Sequence, residues 1–290
     1  MSIRSNNTAM RRNRLQFGIV PIFAIVTVIA ALSWFLSRPP SFATFLNQDL
    51  RHLSPDRKQE LEELLFRVLP DKRQQNPLAN IFEPEPWHLW HSTDAEGNSR
   101  YILFEGRDLF IIPGDSYAKV YLLETNGTIL EESGFKTGYR INLEGALLRN
   151  DKSLGIEVIE VLTHASINGL DIRKRYYGII GNRIALLRLE DSNGHLVVNG
   201  DCDGPPVPKR DASEWATILK SSDPAVVLEA LHWLSGDHAL DSSGVCRNHE
   251  SMSRAIEAQP GVQASIQALT ASQHPWVREA AAIVQNRFGK

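Results

Sequence analysis

Residues 83–97, which read EPEPWHLWHSTDAEG, concentrate side chains that could do chemistry. His88 and His91 could bind one metal ion if the stretch were helical, because residues three apart lie on one face of a helix. The two prolines before them favour an extended chain instead, and alternate side chains of a strand point to opposite faces. We therefore predict a strand in which the two histidines share no ligand and Trp87 or Trp90 is available to a partner.

A second group of potential metal ligands lies in residues 232–250, HWLSGDHALDSSGVCRNHE. Imidazole and thiolate groups both bind zinc, so His238, Cys246 and His249 could supply three of four ligands. Their spacing matches no known zinc pattern, and the glycines and serines between them are typical of an exposed loop. We predict that this segment holds no metal.

The chain carries no local signature of an enzyme: it has no P-loop, no dinucleotide-binding glycine motif, no nucleophile elbow and no zinc-protease motif. Ser116, in the sequence IIPGDSY, is the best candidate nucleophile, but Pro-Gly-Asp-Ser is also ordinary turn chemistry. We therefore predict no catalytic residue and no cofactor. The alternative is a hydrolase whose site on the β-rich region uses His88, His164 or His195 with nearby carboxylates.

The longest apolar run, from Phe17 to Leu36, holds 20 residues without a charged side chain. At about 1.5 Å per residue, a helix of this length spans the roughly 30 Å hydrocarbon core of a bilayer. We predict a transmembrane helix over 17–36, with a cleaved signal peptide as the alternative. The arginines of residues 1–16 then keep this basic tail in the cytoplasm, and the bulk of the chain is periplasmic or extracellular.

Charge excludes one class of partner. Without the four arginines of the tail, the chain holds 27 basic and 34 acidic residues, a net charge near −7 that argues against nucleic acid. Both cysteines, Cys202 and Cys246, lie in the part predicted to be exported, where an oxidising compartment permits a disulfide. That bond would close a loop of about 44 residues and stabilise by up to roughly 4 kcal/mol. Two unpaired buried thiols are the alternative.

The chain after the apolar run divides into four parts. Residues 37–86 are predicted to form a stalk that contains an amphipathic helix over 54–69 and a proline-rich linker. Residues 87–200 consist of short apolar runs and turns, with the alternation and Asn-Gly pairs typical of antiparallel hairpins. A short linker, 201–210, precedes a region of helical patterning over 211–290.

Two segments of the last region resemble each other: SSDPAVVLEALHWLSGDH and SQHPWVREAAAIVQNRF. Aligning Pro224 with Pro275 places Ala230 on Ala281. This pattern resembles the second helices of HEAT-like repeats, in which a proline begins the helix and a small residue lets the next helix approach closely. The resemblance covers only about residues 211–290 and implies a protein-contact surface. Because a solenoid needs about three repeats, we expect the two units to pack on the β domain.

These observations predict an α+β fold with a single N-terminal transmembrane helix, an antiparallel β-rich domain built as a sandwich or curved sheet, and a C-terminal HEAT-like helical domain. We predict a membrane-anchored, non-catalytic scaffold or protein-interaction protein, whose partners are the membrane and another protein. A carbohydrate- or peptide-binding β module is a second alternative. The candidate contact residues are four tryptophans: Trp87, Trp90, Trp233 and Trp276.

Overall fold

The computed structural model divides the chain into two compact units, Met1–Pro40 and Ser41–Lys290. The described residues are 23–30, 41–46, 48, 50–68, 85–93, 97–108, 116–136, 140–152, 154–164, 172–181, 183–197, 205, 207–236, 238–240 and 246–289.

In the first unit, residues 23–30 are helical and exposed. Among the described residues, no helix combines the length and the apolar character needed to cross a membrane. The prediction of a transmembrane helix over 17–36, and of a membrane-anchored protein, is therefore wrong. The predicted location outside the cytoplasm depended on that helix and stays a prediction.

Two four-stranded antiparallel sheets form the centre of the second unit, and in each sheet every strand pairs with the next one along the chain. Sheet A consists of β1 Glu85–Thr93, β2 Ser99–Asp108, β3 Ser116–Glu124 and β4 Ile129–Lys136. Sheet B consists of β5 Arg140–Asp151, β6 Ile156–His164, β7 Ile172–Ile180 and β8 Arg183–Glu190. The α+β class and its antiparallel β part are confirmed.

The inner faces of the sheets pack together around one apolar cluster, as in a sandwich. Sheet A contributes Ile102, Phe104, Ala118, Val120 and Leu122, and sheet B contributes Ile159, Val161, Tyr177, Ile179, Ile184 and Leu186. These residues follow the two-residue period of their strands, which directs alternate side chains into the space between the sheets.

One buried arginine links the two sheets at an end of this inner cluster. Arg100 donates from Nε to Ser92 Oγ at 3.1 Å and from Nη1 to the Gly181 carbonyl at 3.1 Å. Ser92 in turn donates to the carboxylate of Glu157. Because β1 and β2 belong to sheet A, while Glu157 lies on β6 of sheet B and Gly181 in the turn after β7, this network fixes the position of one sheet over the other.

The outer face of sheet A is covered by the segment that precedes it. This segment contains two short 3-10 helices, Phe42–Phe45 and Leu50–His52, and helix α1, Pro55–Val68. Proline fits the first helical turn, and the leucines of α1 recur at helical spacing, so that one face meets the sheet. The predicted amphipathic helix is thus confirmed. The apolar residues that pack together here are Phe42, Phe45, Leu61, Leu64, Leu65, Leu89, Tyr101, Leu103, Tyr121 and Leu123.

The outer face of sheet B is covered in part by the C-terminal helices. These are α2 Ala212–Ile218, α3 Pro224–Ser235, α4 Glu250–Glu257, α5 Val262–Leu269 and α6 Pro275–Phe288, with a small hairpin of β9 His238–Leu240 and β10 Cys246–Asn248 after α3. One apolar cluster joins them to Val158, Tyr176, Ala185 and Leu187 of the sheet. The expectation that this region packs on the β domain is therefore confirmed, whereas the hairpin was not predicted.

Helices α3 and α6 are the two segments that carry the HEAT-like resemblance. They contact each other, and Ala230 and Ala281 are both fully buried in their shared cluster. Asp223 caps α3 by accepting from the backbone N–H groups of Ala225 and Val226. Small residues at the helix contact are what the resemblance implies, and membership of that family stays a prediction.

A substitution at Gly127 tests how the segment of residues 42–68 packs on sheet A. This glycine has φ of +92°, and an added Cβ would lie 3.1 Å from Val68 Cγ2 and 3.5 Å from Phe42 Cε2. We expect Gly127→Ala to lower the free energy of unfolding by about 2–3 kcal/mol, from backbone strain and crowding together. Gly97→Ala is the control, since Gly97 has φ of +87° with nothing within 4 Å of its Cβ position, and it should cost only about 1–2 kcal/mol. Equal losses in urea unfolding would show that the contact with Val68 contributes nothing.

Candidate interaction surface

The helices cover only part of the outer face of sheet B. On this face Glu160 of β6 pairs with Leu147 of β5 and with Tyr176 of β7, and Tyr176 belongs to the cluster beneath the helices. Two residues further along β6, Leu162 pairs with Lys174, and after it His164 pairs with Ile172. Because paired residues of adjacent strands share a face, Leu147, Leu162 and Ile172 all lie on the helix side of the sheet.

These three apolar residues form a diagonal across three neighbouring strands. Leu147 is 43% exposed and Ile172 is 38% exposed, and Leu162 between them is half-buried. Adjacent strands lie about 4.8 Å apart and each residue advances about 3.3 Å, so the diagonal is roughly 16 Å long. We name this diagonal, together with the charged residues Arg149, Glu160 and Lys174 beside it, the open face.

The charges of the open face are arranged around one carboxylate. Arg149 Nη1 lies 3.1 Å from Glu160 Oε2, and Lys174 Nζ lies 3.7 Å from Glu160 Oε1. The side chains of Arg149 and Lys174 are 42% and 45% exposed, whereas that of Glu160 is 12% exposed. Two exposed cations thus share one nearly buried anion, and Lys174 also pairs in register with Glu190 of β8.

Trp276, at the first turn of α6, lies beside the open face. Its ring centroid is 5.0 Å from that of Tyr176, and the guanidinium of Arg188 lies 5.2 Å from the centre of the indole. Arg188 is itself buried, donating from Nε to Glu190 at 2.5 Å and from Nη1 to Glu279 at 2.6 Å. The indole is therefore held between an aromatic ring and a fixed cation, an arrangement that fixes its orientation.

Tyr176 connects this group to the open face. Its hydroxyl donates to Glu190 Oε2 at 2.9 Å, and the guanidinium of Arg149 lies 5.4 Å from its ring. Burial, and then the hydrogen bond to Glu190, raise the pKa of the Tyr176 hydroxyl well above its ordinary value. The hydroxyl therefore remains a neutral donor, and its role is to orient the carboxylate that also binds Arg188.

The other candidate tryptophans lie elsewhere. Trp90 packs against the inner cluster of the sandwich and stacks on His88 at 5.0 Å between ring centroids. Trp233 is buried between Trp215 and His249, at centroid distances of 4.8 and 4.4 Å. The side chain of Trp87 lies outside the described residues. Of the three predicted contact tryptophans whose side chains are described, Trp276 alone lies beside the open face.

The prediction that the opening stretch is a strand with its two histidines on opposite faces is confirmed, whereas the predicted availability of Trp90 is not, because Trp90 packs against the inner cluster. His88 lies on the inner face of β1 with Trp90, whereas His91 contacts Tyr101 on the outer face at a centroid distance of 6.0 Å. The two imidazoles therefore share no ligand.

The second suggested metal site finds no support in the described residues. His249 is buried, and its Nε2 lies 2.9 Å from the carbonyl oxygen of Trp233. In the described part of the chain, no group of three or more potential ligands could hold a metal ion. Cys202 and the side chains of His238 and Cys246 lie outside the described residues. The disulfide between Cys202 and Cys246 therefore stays a prediction.

The residues of the hydrolase alternative are not brought together where they are described. His195 lies in an exposed turn, where its Nδ1 is 3.4 Å from Asp191 Oδ2. Asp191 accepts hydrogen bonds from the backbone of Asn193 and His195, which lower its pKa, as in an ordinary Asx turn. His88 is stacked on Trp90, and the side chains of Ser116 and His164 lie outside the described residues.

Comparison with known proteins assigns no family. No family model matches the chain, and no curated protein or solved structure matches it. The functional argument therefore rests on the geometry of the chain itself.

Partly buried His232, on α3, is the basis of a prediction about pH. Its Nε2 is buried without a hydrogen-bond partner in the described part of the chain. Burial, with a smaller effect of the Arg175 charge, lowers the pKa of His232 to about 4 from its ordinary 6.5. The pKa of His232 is lower in the folded protein than in the unfolded chain. Its contribution to the free energy of unfolding is therefore complete above pH 6.5 and is lost as pH falls towards 4.

We expect the free energy of unfolding to fall by up to about 3 kcal/mol over that range because of this histidine. His232→Gln should flatten this part of the pH profile, measured by urea unfolding, and His195→Gln, at an exposed ring, should not. A wild-type slope that persists in His232→Gln would contradict the assignment.

Arg188 makes a separate prediction about stability. Replacing it by methionine leaves Glu190 buried without its cation, so we expect a loss of about 3–5 kcal/mol in the free energy of unfolding. Arg149→Met, at an exposed ion pair of the same sheet face, should cost less than about 1 kcal/mol. Similar losses from the two substitutions would show that the buried ion pair contributes no more to the free energy of unfolding than the exposed one.

Proposed function

We propose that this protein is a non-catalytic protein-interaction protein and that it binds its partner through the open face of sheet B. The observation that carries the proposal is the apolar diagonal of Leu147, Leu162 and Ile172, in which Leu147 and Ile172 are exposed and Leu162 is half-buried. Single exposed apolar side chains are common on soluble proteins. An apolar line with a charged border, on a face that helices cover elsewhere, favours an interaction site.

The composition beside the diagonal supports the same proposal. Tryptophan, tyrosine and arginine are the residue types that most often dominate the binding energy of protein interfaces, and Trp276, Tyr176 and Arg149 lie together here. Trp276 and Tyr176 are held by their neighbours before any partner arrives. Tyr176 is itself buried, so a partner contacts Trp276, whose orientation is already fixed, and few additional side chains are immobilised, which favours affinity.

Site-directed photocrosslinking tests the proposed function. With a photoreactive residue in place of Ile172, in cells that produce the full chain, we expect a discrete crosslinked product. Leu147→Asp should abolish that product, because it places a charge in the apolar diagonal. Ala268→Asp is the matched control, since Ala268 is an exposed apolar residue on α5, and it should leave the product unchanged.

The outcome that contradicts the proposal is equally definite. If Ile172 yields no product, or if Leu147→Asp and Ala268→Asp affect the product equally, the open face is not the binding site.

A further inference from the structure

Two tight turns of the second unit share one backbone arrangement, and each contains an Asn-Gly pair. In residues 124–128 and in residues 191–195, the glycine N–H donates to the carbonyl of the first residue, at 2.9 and 3.1 Å. The N–H of the first residue donates to the carbonyl of the last, at 2.8 and 2.9 Å. Gly127 has φ of +92° and Gly194 has φ of +81°. The turns therefore differ mainly in their side chains and their burial, so that one is an internal control for the other.

The side-chain amide of Asn126 is held at both of its polar atoms. Its Nδ2 donates to Glu124 Oε2 at 2.9 Å, and its Oδ1 accepts from the backbone N–H of Thr128 at 2.7 Å. The residue that follows, Gly127, is buried. The fold thus restrains the amide and also shields the backbone nitrogen after it from solvent.

The side-chain amide of Asn193 has neither restraint. In this turn Asp191 caps the backbone instead, because its Oδ1 accepts from the N–H groups of Asn193 and His195, both at 2.9 Å. In the described part of the chain, the Asn193 side chain makes no hydrogen bond. Asn193 and Gly194 are both exposed. The Asn193 amide can therefore rotate towards the Gly194 nitrogen in contact with solvent.

We infer that Asn193 is a site of spontaneous deamidation and that Asn126, in the same type of turn, is protected. The Gly194 nitrogen loses its proton to solvent and attacks Cγ of Asn193, a step that glycine favours because it has no Cβ to crowd the nitrogen. A bond from nitrogen to Cγ forms, the bond from Cγ to Nδ2 breaks, and Nδ2 takes up protons from solvent and leaves as ammonia.

Water then opens the cyclic succinimide, and the Gly194 nitrogen recovers its proton. If the bond from nitrogen to Cγ breaks, the product is aspartate. If the bond from nitrogen to the main-chain carbonyl carbon breaks, the product is isoaspartate, in which the main chain runs through Cβ and Cγ. The net change is the uptake of water and the loss of ammonia, and no oxidant or reductant takes part.

The product changes the edge of sheet B. Isoaspartate lengthens the main chain inside the turn, and the segment after the turn pairs with β8 through the bridge between Leu196 and Glu190. Glu190 is the carboxylate that binds Arg188 and Tyr176 beside the open face. Conversion of Asn193 therefore alters the backbone next to a residue that supports the open face.

The hydrogen bonds of Asn126 set the expected difference in rate. Both of them must break before Cγ of Asn126 can reach the Gly127 nitrogen. Each such bond shifts an equilibrium by a few-fold, so together they slow deamidation of Asn126 by roughly tenfold or more relative to Asn193.

Peptide mapping of the aged protein tests the inference. The folded full chain is incubated at mildly alkaline pH, and samples taken over time are digested with trypsin and sequenced by tandem mass spectrometry. Asn193 and Asn199 lie in one tryptic peptide, residues 189–209, so fragment ions must assign the modified position. Methyl transfer by an isoaspartyl methyltransferase, added as a probe enzyme, identifies isoaspartate. The same incubation in concentrated urea measures both sites without the fold.

We expect Asn193 of the folded chain to convert at least about tenfold faster than Asn126, and the two rates to become similar in urea. Glu124→Ala removes the acceptor of Asn126 Nδ2, so it should speed conversion of Asn126 several-fold and leave the rate at Asn193 unchanged. Asn193→Gln should abolish the isoaspartate signal at that position. Thermal unfolding of both variants verifies that the fold is retained.

Four results would overturn the inference. They are no conversion of Asn193 in the folded chain, equal rates at Asn193 and Asn126 in the folded chain, a rate at Asn126 that Glu124→Ala leaves unchanged, and a difference between the two sites that persists in urea. The last result would assign the difference to the local sequence and not to the turns.

Discussion

Burial of both faces of strand β8, at the edge of sheet B, is the constraint on which the rest of the structure depends. Nearly every residue of β8 is buried, because its alternate side chains enter either the inner cluster of the sandwich or the cluster beneath the helices. A strand that is apolar on both sides needs a cover on both sides. Sheet A supplies one cover, and the C-terminal helices supply the other.

Ion pairs determine where that second cover lies. Arg183, at the start of β8, donates to both carboxylate oxygens of Glu229 on α3, one of them at 2.6 Å. Arg188, further along the same strand, binds Glu279 on α6. These ion pairs attach α3 and α6 to one strand, and Trp276 lies at the edge of the area of sheet B that the helices cover. The open face begins there, so its position follows from the way the helices are attached.

Local sequence patterns predicted the helices and strands but not which elements pack over each sheet face. The proline start and leucine spacing of α1, the alternation in β1 and the proline starts of α3 and α6 are properties of short segments, and each appears where the sequence indicates. No sequence pattern identified Leu147 and Ile172 as exposed. Alternation shows on which face of the sheet a side chain lies, but it does not show what covers that face. For the same reason Trp90 and Trp233, which are predicted as contacts, are instead packed in cores. The length and apolarity of residues 17–36 likewise predicted a membrane span that the described helix does not form.

The helical region illustrates how a short repeat can be stable without a solenoid. Two repeat-like units lack the neighbours that bury the outer faces of longer arrays. Here α3 and α6 contact each other, and one apolar cluster buries Ala230 and Ala281 together with Val158, Ala185 and Leu187 of sheet B. The sheet takes the place of a third repeat. Because the helices share their core with the sheet that carries the open face, a substitution in that core changes the support of the open face as well as the stability of the helices.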